Sequence, residues 1–178
     1  RLVNFMTARQ DLIYEALQIG DRESNWCHKL NKTLLDAMKK DKNLTKEKAE
    51  EIWYSRANDG YCGGIDHQHY NSTRYHGVNL HSFFTKGTVE FRLFNSTLHA
   101  GKIKAYIQFC LAVSAWAITS QEKIVFRSME GYSPEQKVTI MRNILTHRLG
   151  LYGDEFKTCR LQLMTPLKKA AGMTCRAA

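Results

Sequence analysis

RYHGVNLHSFFTKGTVEFRLFNSTLHAGKIKAYIQF, residues 74–109, decides how the rest of the chain is read. Val78, Leu80, Ser82 and Phe84 alternate with Asn79, His81 and Phe83, the period-two pattern of a strand, and Lys86 with Gly87 supplies a turn. A second strand over residues 88–95 puts Thr88, Glu90, Arg92 and Phe94 on one face and Val89, Phe91 and Leu93 on the other. From residue 101 to residue 119 the pattern changes to that of one long apolar helix. A lone hairpin is marginal in water and is expected to pack on helices. The reading is an α+β fold, mainly helical, with a short antiparallel hairpin or sheet.

Upstream, Leu2, Phe5, Met6, Leu12, Ile13 and Leu17 recur at helical spacing, and Gly20 marks the stop. Ser24 is placed to cap a second helix running to residue 40, with Trp26, Leu30, Leu34 and Met38 as its apolar stripe. Thr45 opens a third helix through about residue 55, with Ile52 and Trp53 turned inward. Residues 57–73 are rich in Gly, Asn and Asp, which marks a loop. Downstream, Ser133, Pro134 and Gln136 form a strong helix start, and that helix ends near Gly150. Asp154 opens a last helix in which Pro166 is expected to make a kink or break. With no repeat, linker or low-complexity tract, one domain over residues 1–178 is expected: helices over 2–56, a loop over 57–73, a hairpin over 74–95 and helices over 101–170.

At 178 residues the chain is long enough to bury a core, and 43% hydrophobic with 24% charged residues is ordinary globular composition. The longest apolar stretch, residues 109–118, is too short to cross a bilayer and lacks the charged flank of a signal peptide, so it reads as a buried core helix and no membrane partner is expected. Five scattered cysteines without a C-x-x-C pair argue for reduced thiols and a cytoplasmic location. The net charge of +9 is uneven, with +1 over residues 1–60 and +8 over residues 61–178. Such an excess attracts phosphate-rich or acidic partners at long range, while a merely solvated basic surface is the plain alternative.

Glu90 and Arg92 are two apart on a strand, so both project from one face about 7 Å apart. On residue types alone that is a common surface ion pair of little energy. Asp66-His67-Gln68-His69 has the spacing of a transition-metal clip, with Cys62 or His76 as further donors, although loop histidines are more often exposed or hydrogen-bonded. Cys110 reads as a small buried hydrophobe. Lys102, Lys104, Arg142, Arg148, Lys157, Arg160, Lys168 and Lys169 fall on helices with few acidic neighbours, which suits contacts to a phosphate backbone or a nucleic-acid-bound protein. Tyr106, Tyr132 and Tyr152 are candidate stacking platforms.

The segment 74–109, above all GTVEFRLFN followed by HAGKIKAYI, resembles the amidoligase family of the carboxylate–amine ligase superfamily, which includes glutamine synthetase and glutamate–cysteine ligase. The resemblance implies the C-terminal half of a glutamine-synthetase-like catalytic domain, a curved antiparallel sheet backed by helices with ATP and metal ions in its concave face. It implies Glu90 as a metal ligand, Arg92 as a phosphate contact, and Arg74, Asn79 and Asn95 as neighbouring contacts to ATP or substrate. The family's Gly-x-Glu-x-Glu strand, which supplies most metal-binding carboxylates, does not occur in this sequence. Two metals with a triphosphate need several carboxylates.

Two expectations follow. The first is a basic binding module on an amidoligase-like fold that is inactive as this chain, of the kind carried by phages and mobile elements, inhibiting a host nucleic-acid nuclease in the anti-CRISPR manner. The second is part of an ATP-dependent carboxylate–amine ligase whose acidic half is missing. ATP and Mg²⁺ are expected only in the ligase reading.

Overall fold

A computed structural model describes residues 1–41, 43–55, 64–122 and 129–174. The fold is mainly helical with one small antiparallel sheet, as the sequence predicts. It forms two compact units, one of residues 1–20 with 94–178 and one of residues 21–93.

In the first unit, α1 (Leu2–Leu17) buries Phe5, Met6, Leu12 and Ile13 along one stripe and ends on Gln18 in the left-handed region at φ 54°. The long helix α5 (Ala100–Thr119) buries Ala105, Phe109, Val113 and Trp116, and the Phe5 ring meets Trp116 at 5.1 Å. The expectation of a buried core helix over residues 109–118 holds for that face alone. Leu111 and Ile118, on the opposite side, are 65% and 76% exposed. The apolar run goes all the way round the helix, but a single face of it has neighbours in this unit.

Ser133 caps α6 (Pro134–Asn143) through a full capping box: its hydroxyl accepts from Gln136 N and the Gln136 side chain accepts from Ser133 N. A wide π turn over Ile144–Arg148 then carries the chain to Gly150. A 3₁₀ turn, Asp154–Phe156, precedes α7 (Lys157–Ala170), which packs against α1, α5 and α6. The break expected at Pro166 does not occur, because Leu163, Met164 and Leu167 are buried on both sides of it and hold the helix through the missing hydrogen bond. Replacing Ser133 by alanine removes the hydroxyl that accepts from Gln136 N, while its backbone N–H can still donate to the Gln136 side chain, and is expected to cost about 1 kcal/mol. A thermal melt should show the midpoint fall by roughly 2–4 °C; an unchanged midpoint would contradict the cap.

In the second unit, the helix expected from Ser24 starts later. The Ser24 hydroxyl donates to Asp21 O inside a 3₁₀ turn (Gly20–Ser24), and Asn31 caps α2 (Lys32–Lys40) by accepting from Thr33 N at 2.9 Å. Trp26 is 52% exposed and forms no part of a stripe. Between the two, His28 pairs in parallel with His76, donating to Tyr75 O and accepting from Gly77 N. Thr45 caps α3 (Lys46–Trp53) as read.

β1 (Val78–Asn79) pairs antiparallel with β2 (Glu90–Phe91), matching Val78 to Phe91 and Asn79 to Glu90. The strand expected to run on to Phe84 stops at Asn79, and residues 81–86 form a short helix, α4 (His81–Lys86). Leu80 and Phe84 are four apart and both buried, so the alternating pattern also satisfies a helical turn, closed by the bond from Phe84 N to Leu80 O. Gly87, at φ 74°, is therefore the C-cap of α4 and not a hairpin turn. Among the described residues the sheet has two strands of two residues each, so the curved antiparallel sheet implied by the resemblance is not present there.

Candidate functional site

A cleft of about 150 Å³ in the 21–93 unit is lined by Arg74, Asn79 and Glu90 together with His67, His69, His81, Ser82, Thr85 and Lys86. The strand pair builds its floor. Because Asn79 faces Glu90 in the register, the Asn79 Nδ2 donates to Glu90 Oε2 at 2.7 Å. Two residues on, Arg92 lies on the same face and donates to Glu90 Oε1 at 3.2 Å. Both oxygens of the carboxylate are thus engaged, one by an amide and one by a guanidinium. Two polar atoms are left over: the buried Asn79 Oδ1 and the buried Arg92 Nε have no hydrogen-bond partner.

The cationic wall is held by aromatic rings and backbone. Arg92 lies 5.4 Å from the centre of the Tyr75 ring, and Arg74 lies 5.9 Å from that ring and 5.6 Å from Tyr70. Such contacts favour a fixed cation. Arg74 also donates to His69 O at 2.8 Å. Lys86, in the last turn of α4, adds a second flexible cation.

Behind the wall, the hydroxyl of buried Tyr54 meets His81 Nδ1 at 2.6 Å. Burial holds the His81 ring below its ordinary pKa, and the nearby His67 and Arg74 push the same way, against Asp66 and a backbone bond to Gln68. With its other ring nitrogen donating to the Gln68 backbone, the neutral ring accepts from the Tyr54 O–H at Nδ1. Burial, with Glu50 and Asp66, raises the Tyr54 phenol and keeps it protonated. The Tyr54–His81 bond thus braces the side of the cleft that His81 lines.

The Asp66-His67-Gln68-His69 stretch does not form a metal clip. His67 Nε2 bonds Glu50 Oε1 at 2.6 Å, His69 packs edge-on against Tyr70, and the Asp66 carboxylate accepts from Gln68 N and Asn71 Nδ2. Among the described residues no group of three or more His, Cys, Asp or Glu side chains stands close enough to hold a metal ion; Cys62 lies outside the described residues. Among the described residues the cleft lining offers a divalent ion the single carboxylate of Glu90, already hydrogen-bonded at both oxygens, so the residues present do not fit the metal pair the resemblance implies. They do fit a phosphate, which Arg74 and Lys86 can meet with positive charge.

Asn95 belongs to the other unit, where its Nδ2 donates to Gln18 O and it lines a cleft with Lys102 and Lys169. Arg142, Lys157, Arg160 and Lys168 line a separate groove, Lys104 is exposed, and Arg148 is paired with Glu122 at 2.8 Å. Tyr106 is stacked on Phe94 at 4.4 Å and so has one ring face covered. Burial pushes the Cys110 thiol up to about 12, which keeps it protonated and leaves it a small apolar side chain. His67, read as a metal-clip candidate, lines the cleft instead, and Tyr54, His81 and Lys86 are the site residues that sequence reasoning missed. Only the short spacing of Lys86 from Glu90 gave any signal for them.

A family model described as "Putative amidoligase enzyme" matches residues 1–114. No curated protein matches the chain, and no solved structure does.

Proposed function

Because this chain belongs to the amidoligase family, we propose that the cleft of residues 21–93 is the phosphate-holding side of a carboxylate–amine ligase site, without the means to turn ATP over on its own. In this chemistry ATP supplies the phosphoryl group that activates an acid as an acyl phosphate for attack by an amine. The carrying observation is convergence: Arg74, Asn79 and Glu90, all from the family-like segment, line one cleft, and Arg92 is clamped onto Glu90 behind it.

Each side chain has a part that its geometry allows. Arg74, braced by His69 O and two tyrosine rings, presents a guanidinium to a phosphoryl group. Lys86 adds charge from the other wall. Glu90 keeps Arg92 in place, and Asn79 Nδ2 keeps Glu90 in place. That leaves Asn79 Oδ1 as a buried acceptor without a donor beside the cleft floor. Inhibition of a nucleic-acid nuclease would draw on other residues, and nothing in this cleft speaks for it.

Titration calorimetry with ATP tests the reading. The chain should bind ATP with an affinity that does not require Mg²⁺, and Arg74→Ala should weaken binding about tenfold, the effect of losing one charge-assisted contact of roughly 1.4 kcal/mol. Absence of ATP binding, or equal binding by Arg74→Ala, would sink it.

A further inference from the structure

We propose that the groove between the α6–π-turn segment and α7 binds the phosphate backbone of a single-stranded nucleic acid. Four cations, Arg142, Lys157, Arg160 and Lys168, line this groove, whose volume is about 190 Å³, and no Asp or Glu is among the lining residues. Its floor is apolar, made by Leu145, Leu161 and Met164. The proposal concerns the 1–20 and 94–178 unit and shares no residue with the ligase cleft, so either reading can fail without the other.

The arrangement selects a chain of phosphates over a single one. Lys157 and Lys168 are eleven residues apart on α7, which is three turns, so they share a face about 16 Å apart along the axis. One phosphate group is too small to meet both, whereas a nucleic-acid strand presents several phosphates over that length. Arg160 is fixed between them, because its NH1 donates to Leu151 O and Gly153 O at 2.8 Å each. Its Nε and other terminal nitrogen keep their hydrogens for a ligand. Arg142 faces this row from the opposite wall.

The shape narrows the class further. An apolar floor under charged walls suits a polymer that carries sugars and bases between its charges, and inorganic polyphosphate has nothing to place there. A bilayer presents a plane of headgroups, which does not enter a concave groove. The groove is bordered by the Ile144–Arg148 π turn through Leu145 and Thr146. Such turns recur at functional sites because the widened backbone re-aims side chains.

Fluorescence anisotropy with a labelled single-stranded DNA oligonucleotide at two salt concentrations tests this. Arg142→Ala/Lys157→Ala/Lys168→Ala is compared with Lys39→Ala/Lys40→Ala/Lys48→Ala, a control that loses the same charge from exposed positions of the other unit. Arg160 is left intact because it ties two backbone carbonyls. The groove variant should bind at least about tenfold more weakly, and its slope of log affinity against log salt should be shallower by about two, at roughly 0.7 per single-strand contact. The control should stay within about twofold of the parent. Equal losses in both variants, or no binding by the parent, would overturn the proposal. So would tighter binding of polyglutamate or phosphatidylserine vesicles than of the oligonucleotide. If melting shows the triple variant unfolded, the single Lys168→Glu change must give the same weakening for the proposal to stand.

Discussion

Phe109→Ala is expected to destabilise the protein by about 3–5 kcal/mol, the cost of removing a fully buried phenyl ring and leaving part of its volume empty. Phe109 lies on the face of α5 that also buries Ala105, Val113 and Trp116. Leu111, two residues away on the same helix, is 65% exposed. Leu111→Ala should therefore change stability by no more than about 0.5 kcal/mol. Urea unfolding of the two variants separates the faces of α5: the midpoint should fall sharply for one and stay for the other, with the slope unchanged in both. Equal losses would mean that α5 buries both faces.

Tyr54→Phe should cost about 1–3 kcal/mol, because it removes the hydroxyl and leaves His81 Nδ1 buried without its donor. The same pair predicts a pH dependence. The folded ring is held below the ordinary value of 6.5, mainly by burial. Above pH 6.5 neither the folded nor the unfolded ring is charged, and the full stability is present. As pH falls below 6.5 the unfolded chain takes up a proton that the folded chain refuses, so stability drops until the folded ring also protonates. Unfolding measured at pH 7.5 and 5.5 should show the parent less stable at the lower pH, and His81→Gln should reduce that difference. A larger loss in His81→Gln than in the parent would refute the account of the ring as buried and neutral.

Local chemistry was the most legible part of the fold. The caps at Thr45 and Ser133 need only a side-chain oxygen at a fixed offset, and both form as read. The pairing of the Asn79 and Glu90 strands was legible from period-two alternation, and the Glu90–Arg92 contact follows from the same period. Strand length was not, since Leu80, Ser82 and Phe84 fit a strand by alternation and a helix by the four-residue step from Leu80 to Phe84. Burial of that pair decides for the helix. Ser24 lost to Asn31 because residues between them are drawn into pairing with residues 75–77, a contact no local rule predicts.

The site divides in the same way. Arg74, Asn79, Glu90 and Arg92 sit within nineteen residues of sequence and could be grouped from it. The Tyr54–His81 bond spans 27 positions and the His67–Glu50 bond spans 17. Neither has a spacing signature, because the fold brings these partners together from separate elements. In the groove, Lys157 and Lys168 could be placed on one helix face by counting, whereas Arg142 on the opposite wall could not.

That Glu90, paired with Arg92 and Asn79, is among the described residues the single carboxylate lining the cleft, where a metal pair with a triphosphate needs several, is the central claim about the cleft. Phosphate release from ATP by the purified chain in saturating Mg²⁺, with Glu90→Ala run in parallel, tests it most directly. Release from both proteins should not exceed that in buffer, because the cleft holds a phosphate without the carboxylates that turnover needs. Sustained release by the parent that disappears in Glu90→Ala would show Glu90 working as a metal ligand and would contradict the account.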